Sequence, residues 1–223
     1  MLRKTIGVVG IGLLLASVVP ASAQHRFEAS GTFNGGLSDG VSGDSIVASD
    51  GHIYDRIDPA NGFAFSLSAG YLFTPNWEAD FIWAHQGSQL QINGTNTLTI
   101  GDLGIYTYHG AVVYNFLDEH SHFRPYVLGG LGATNYGSVS FSDTAGVVRD
   151  IPGHTKFSTT WGGGVKVYAS PNVGFRFGLR LTPAYIKTDS AGWWCDPYWG
   201  CYVVGNAQYA TQLEIGGGVT VRF

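Results

Sequence analysis

The sequence predicts an all-β chain closed into one eight-stranded antiparallel transmembrane β-barrel, and three observations predict it. Alternate residues sort by polarity in segment after segment. The connections between segments alternate short and long, and large aromatics gather at both ends of the segments. Composition agrees: of 223 residues 33 are Gly and 14% are aromatic, while only 13% are charged, about half the usual quarter. The formal net charge of −4 offers no basic field to a phosphate backbone, so no nucleic-acid partner is expected.

The N-terminus is set aside first. Arg3 and Lys4 precede an apolar run over 6–19, followed by Pro20 and Ala21-Ser22-Ala23, the layout of a secretory signal peptide over 1–23. The run is shorter than the roughly 20 residues a spanning helix needs. The barrel domain is then 24–223, and no later stretch is long and apolar enough for a helical span.

Taken in order, the first strand, 26–36, alternates weakly and carries Glu28. The second, 62–73, opposes Phe63, Phe65, Leu67, Ala69, Tyr71 and Phe73 to Ser66, Ser68 and Gly70. In the third, from 77, Trp77, Phe81 and Trp83 oppose Glu78 and Asp80. The fourth, 103–117, sets Tyr106, Tyr108, Val112, Tyr114 and Phe116 against Thr107, His109 and Asn115. The fifth, 124–137, is so rich in Gly that its faces cannot be assigned by pattern. The sixth, 155–169, opposes Phe157, Trp161, Val165 and Val167 to Lys156, Ser158, Thr160 and Lys166, and the seventh, 174–187, opposes Phe175, Phe177, Leu179, Leu181 and Tyr185 to Arg176, Arg180 and Thr182. The eighth, 209–223, is the clearest: Leu213, Ile215, Val219, Val221 and Phe223 lie on one face, with Gln212, Glu214, Thr220 and Arg222 on the other.

Connections 74–76, 118–123 and 170–172 are short, and those at 37–61, 87–102, 138–154 and 188–208 are long. The two kinds fall at opposite ends, matching tight periplasmic turns and long extracellular loops. A soluble eight-stranded barrel of lipocalin type would bury its apolar face inside. Here Phe73, Trp77, Tyr114, Phe116, Phe175 and Phe223 collect near the short turns, with Phe63, Tyr106, Phe157, Tyr185 and Tyr209 near the long loops. Two such rings read as the girdles of a bilayer crossing.

With eight strands, four long loops, Arg124-Pro125-Tyr126 opening the fifth strand and Val219-Thr220-Val221-Arg222-Phe223 at the end, the chain resembles the outer-membrane β-barrel superfamily of OmpA and OmpX type. The resemblance implies a bacterial outer-membrane location, contact with membrane lipid and lipopolysaccharide, and insertion by the barrel-assembly machinery. Gly218, Val221 and Phe223 match the assembly signal, while Gly216 stands where that signal has a polar residue. The resemblance covers the barrel alone, without a peptidoglycan-binding domain. It does not imply one activity, because the superfamily holds anchors, adhesins, narrow pores and lipid-modifying enzymes.

Three groups of residues are candidates for function. Glu28, Glu78, Asp80 and Glu214 share the inward face with Lys156, Lys166, Arg176, Arg180 and Arg222. In a lumen this narrow they form either a plug of ion pairs or the lining of a small pore. Cys195 and Cys201 are the two cysteines, both in the last long loop, and in an oxidising compartment a disulfide between them is expected. It would staple a loop that exposes Trp193, Trp194, Tyr198, Trp199 and Tyr202, either as a contact surface for an unidentified extracellular ligand or folded back over the mouth.

His120-Ser121-His122 lies in a short turn and lacks the spacing of a metal site. Asp39, Asp44, Asp50, Asp55 and Asp58 in the first long loop do not meet a calcium-loop pattern. For hydrolysis of lipid acyl chains an activated nucleophile on the lipid-facing side is needed, and His85, Ser88 and His109 do not form such a pair. The expectation is a structural or surface-interacting barrel without enzymatic activity or cofactor, with a narrow pore as the alternative and a lipid-modifying enzyme behind it.

Overall fold

A computed structural model describes residues 26–47, 53–118, 120–142, 148–186, 195–196, 200–201 and 208–223. The strands are β1 (Phe27–Asp39), β2 (Val41–Val47), β3 (Ile53–Pro59), β4 (Gly62–Leu72), β5 (Trp77–Gly94), β6 (Thr97–Asn115), β7 (Phe123–Tyr136), β8 (Val139–Ser142), β9 (Val148–Ile151), β10 (His154–Tyr168), β11 (Val173–Ile186), β12 (Cys195–Asp196), β13 (Gly200–Cys201) and β14 (Gln208–Arg222). Eight of them, β1, β4, β5, β6, β7, β10, β11 and β14, pair antiparallel in that order. The pairing of β1 with β14, from Glu28↔Arg222 to Asp39↔Thr211, closes the ring. Closure leaves no unpaired edge in the barrel wall, the condition for a sheet to cross a membrane. At the seam, Phe223 N–H donates to the Phe27 carbonyl at 2.8 Å.

Period 2 decides the two faces. Phe33, Phe63, Phe81, Leu131, Phe157, Trp161, Phe177, Leu179 and Ile215 are exposed outward, whereas Glu28, Glu78, Asp80, Lys166, Arg176, Arg180, Glu214 and Arg222 are buried inside. Charges inside and large apolar side chains outside invert the soluble arrangement and fit hydrocarbon around the barrel. Outward rings pack in cross-strand pairs at both ends, as Trp77 with Tyr114 at 4.9 Å and Tyr185 with Tyr209 at 5.6 Å between centroids.

The long connections differ from expectation, because they carry strands rather than open loop. β5 and β6 run past the wall to Gly94 and from Thr97, so most of 87–102 is paired. Segment 37–61 holds the β2–β3 hairpin, whose β3 adds to the extension of β5, and 138–154 holds the β8–β9 hairpin. Above the wall the two faces no longer meet two different solvents, so the polarity alternation that reveals a barrel strand is lost there.

The fifth barrel strand also acquires faces. Arg124, Tyr126, Leu128, Thr134 and Tyr136 of β7 are buried, and Phe123, Val127 and Leu131 are exposed. The proposed signal peptide lies outside the described residues.

Candidate functional site

The lumen is filled from the periplasmic end upward. Arg124, fully buried, forms its floor: Nε donates to the Leu117 carbonyl at 3.2 Å and a terminal nitrogen to the Pro75 carbonyl at 2.5 Å. One side chain so ties two short turns together. Above it, Lys166 Nζ lies 2.5 Å from Glu28 Oε1 and 2.8 Å from Glu78 Oε2. Glu28 Oε2 also accepts the Tyr168 hydroxyl at 2.7 Å and Arg222 Nε at 3.2 Å, while Asn115 donates to Glu78 at 3.2 Å. The Arg222 guanidinium lies 3.6 Å from the Tyr168 ring centroid.

The next layer joins Arg176 to Asp80 at 3.4 Å, to the Tyr126 hydroxyl at 3.1 Å and to Ser68 Oγ at 3.2 Å. Ile82, Ala111, Val113 and Leu128 pack beside it. Higher still, one Arg180 nitrogen reaches both Glu214 oxygens at 2.8 Å, and Asn34 donates to Glu214 at 3.2 Å. A cavity of about 50 Å3 remains between the two arginines, lined by hydroxyls of Ser30, Thr32, Ser66 and Ser68. That is room for one or two waters. Lys156 lies half-buried nearer the outer rim.

The outer end changes character. Leu90, Leu103, Ile105, Tyr136, Val139, Ala184, Ile186 and Ala210 form an apolar cluster across the mouth, with Ile57, Ile100 and Ile151 packed against it. No such layer was expected from the sequence. Leu90 and Val139, with Ile57, Ile100 and Ile151, come from connections read there as loop, and Leu103, Ile105, Tyr136, Ala184, Ile186 and Ala210 from the outer ends of strands, so that the cluster is not visible until the pairing is known.

Arg124 was likewise missed. Its signal was alternation with Tyr126 and Leu128, which the glycines that follow interrupt.

The residues considered for catalysis do not share one site. His85 points outward and stacks on Tyr106 at 4.5 Å, and Ser88 Oγ donates to the Ala60 carbonyl at 2.5 Å. His109 is wholly buried in the lumen, with Nε2 2.9 Å from Ser158 Oγ, which also accepts Thr134 Oγ1 at 2.9 Å. Nδ1 of His109 has no hydrogen-bond partner among the described residues, so no carboxylate orients that ring. His122 Nδ1 lies 2.9 Å from the Tyr168 carbonyl. Among the described residues no group of three His, Cys, Asp or Glu side chains is placed to hold a metal.

In the first extracellular segment Asp58 is a knot. One oxygen accepts Gly40 N–H and Arg56 Nε, each at 2.8 Å, and the other accepts Asn93 at 2.8 Å, while Arg56 also pairs with Asp39. The Arg56–Asp39 pair is exposed and contributes little; the Asp58 side chain is 14% exposed, and its bonds hold the hairpin to β5. Asp58→Ala is expected to cost about 1–3 kcal/mol locally. Faster amide exchange in β2 and β3 with unchanged exchange in the barrel wall is the result to look for, and uniform protection would show that the knot is dispensable.

β12 and β13 form a two-stranded ribbon in which Cys195 stands opposite Cys201. Directly opposed residues of an antiparallel pair have Cα atoms about 4.5–5.5 Å apart, within the span a disulfide bridges. The side chains of Cys195 and Cys201, and all of Trp193, Trp194, Tyr198, Trp199 and Tyr202, lie outside the described residues.

Comparison with known proteins follows from this geometry. Residues 6–223 match the family model of the outer membrane protein beta-barrel domain. The fold is similar to that of the outer membrane protein OprG from Pseudomonas aeruginosa, at a TM-score of 0.60 and 15% identity over 89% of this chain and 97% of that one. It is also similar to Neisserial surface protein A, at a TM-score of 0.54 and 18% identity over 88% of this chain and 97% of that one. No curated protein matches the sequence.

Proposed function

The chain belongs to the outer-membrane protein β-barrel family, and from that premise we propose that it is a closed barrel anchoring an extracellular interaction surface. Its place is the bacterial outer membrane. The observation that carries the reading is the lumen: Lys166, with no exposed side-chain surface, bridges Glu28 and Glu78 across the interior. An apolar layer then closes the mouth above the ion pairs. An ion would have to displace paired buried charges and afterwards cross an apolar constriction, so the interior serves as structure. What is left to act is the part above the membrane, built from extended β5 and β6, the hairpins and the aromatic loop. In this reading a Cys195–Cys201 disulfide staples that loop, Gly218, Val221 and Phe223 present the chain to the assembly machinery, and lipopolysaccharide surrounds the outer half. The Ser158–His109 contact, enclosed in the lumen without an orienting acid, supports a non-enzymatic role.

The test is conductance of refolded protein in planar bilayers, alone and as Glu78→Gln and Arg176→Gln. A silent, folded wild-type barrel is the expected result. Discrete openings whose size changes in either variant would overturn the reading and make the lumen a narrow pore.

A further inference from the structure

The lining of the lumen cavity is rich in hydrogen-bond donors and short of acceptors. Arg176 and Arg180 project inward from β11 on either side of Gly178, which is paired with Gly164 and Gly216. Three adjacent strands therefore place no side chain between the two arginines. The hollow of about 50 Å3 lies there, and both arginine side chains, 7% and 10% exposed, line it. Each hydroxyl carries one proton. Tyr126 and Ser68, on the same lining, accept from Arg176 at 3.1 and 3.2 Å, so each keeps its proton to donate. Thr32 and Ser66 share a single hydrogen bond at 2.6 Å, and one hydroxyl of that pair keeps its proton too. Among the described residues the hydrogen bonds of Arg180 leave from one terminal nitrogen, so its Nε and other terminal nitrogen remain for the cavity. On the acceptor side Glu214 is already engaged, by Arg180 at both oxygens and by Asn34 at one. Charge points the same way. Among the described residues four carboxylates are buried, Glu28, Glu78, Asp80 and Glu214, against four arginines and Lys166. The interior is short of one negative charge.

We propose that this cavity holds one small monovalent anion of the chloride class, bound by the two guanidinium groups and the hydroxyls of Ser68 and Tyr126. A water would bring two protons to a lining whose carboxylate is already engaged, and a metal cation would meet two arginines. A halide accepts from every one of these donors at once and supplies the missing negative charge. In a buried site such attraction is little screened by salt. Such an ion is held, not conducted, and its presence is separate from the role of the extracellular surface.

The experiment is urea unfolding of barrels refolded in phosphatidylcholine vesicles. The total concentration of sodium salt is fixed, and gluconate, too large for the cavity, is replaced stepwise by chloride. Wild type is expected to be stabilised by chloride. Once the site begins to fill, its unfolding constant should fall about tenfold for each tenfold rise in chloride, as for one site present only in the folded chain. Ser68→Ala and Tyr126→Phe each remove one donor and no charge, and each should raise the chloride concentration at which this begins by about tenfold or more. That onset, rather than the midpoint in gluconate, is the readout, so a general loss of stability does not imitate the effect. Ser140→Ala, in the extracellular β8–β9 hairpin, should leave the onset unchanged. Slower migration after boiling than before checks that each variant is closed. A wild-type barrel indifferent to chloride would overturn the proposal and leave water alone in the cavity. So would an onset unchanged in both Ser68→Ala and Tyr126→Phe, which would place the chloride elsewhere on the barrel.

Discussion

Lys166→Met is expected to destabilise the folded barrel by about 3–5 kcal/mol, because removing one partner of a buried ion pair leaves an uncompensated charge in a dry interior. The loss does not fall evenly on its two carboxylates. Glu28 keeps the Tyr168 hydroxyl and Arg222 Nε, whereas Glu78 keeps only Asn115 among its hydrogen bonds described here. The penalty therefore sits mainly on Glu78, and Lys166→Met with Glu78→Gln is expected to recover most of it although one more charge has gone. The midpoint of urea unfolding in lipid vesicles, followed by tryptophan fluorescence, measures both variants. A Lys166→Met barrel within 1 kcal/mol of wild type would mean that water reaches the charges and solvates them. It would also remove the main support for a sealed lumen, so this measurement and the conductance measurement bear on the same point by independent routes.

What could be read from the sequence follows from where the chain meets two different environments. The outward faces of the second, third, fourth, sixth, seventh and eighth strands were legible because lipid on one side and a polar lumen on the other impose period 2. In β7, Gly129, Gly130 and Gly132 remove the side chains that would report a face, and Arg124 went unrecognised with them. Partners in the lumen were not legible either, because they depend on the stagger of strands around the ring. Lys166 and Glu78 are 88 residues apart in sequence and meet across the interior. Nor does pattern separate the apolar mouth from a loop: Leu90, Val139 and Ile186 come from three different connections or strand ends and become a cluster only after closure.

Glycine content, by contrast, acquires a specific meaning once the register is known, and it yields the other large effect. Gly164, Gly178 and Gly216 are directly paired on β10, β11 and β14 and share the inward face. The space they leave lets Tyr126 and Arg176 reach each other inside so small a barrel. A Cβ on Gly178 would fall 2.6 Å from the Tyr126 hydroxyl oxygen and 2.8 Å from the Gly163 carbonyl oxygen. Gly178→Val should therefore drive Tyr126 off Arg176 as well as strain the wall. Overpacking of this kind costs about 1–3 kcal/mol, and the lost hydrogen bond to a charged group adds about 1.5–3 kcal/mol. Tyr126→Phe tests the mechanism, since it removes the clashing hydroxyl and that hydrogen bond together. In the double variant Gly178→Val and Tyr126→Phe the costs should fall short of additive by at least about 1 kcal/mol, the signature of two groups contending for one space. Strict additivity would show that the valine strains only the backbone of β10 and leaves the Tyr126–Arg176 contact intact, and the inward glycines would then serve the packing of the wall rather than the pairing of charges within it.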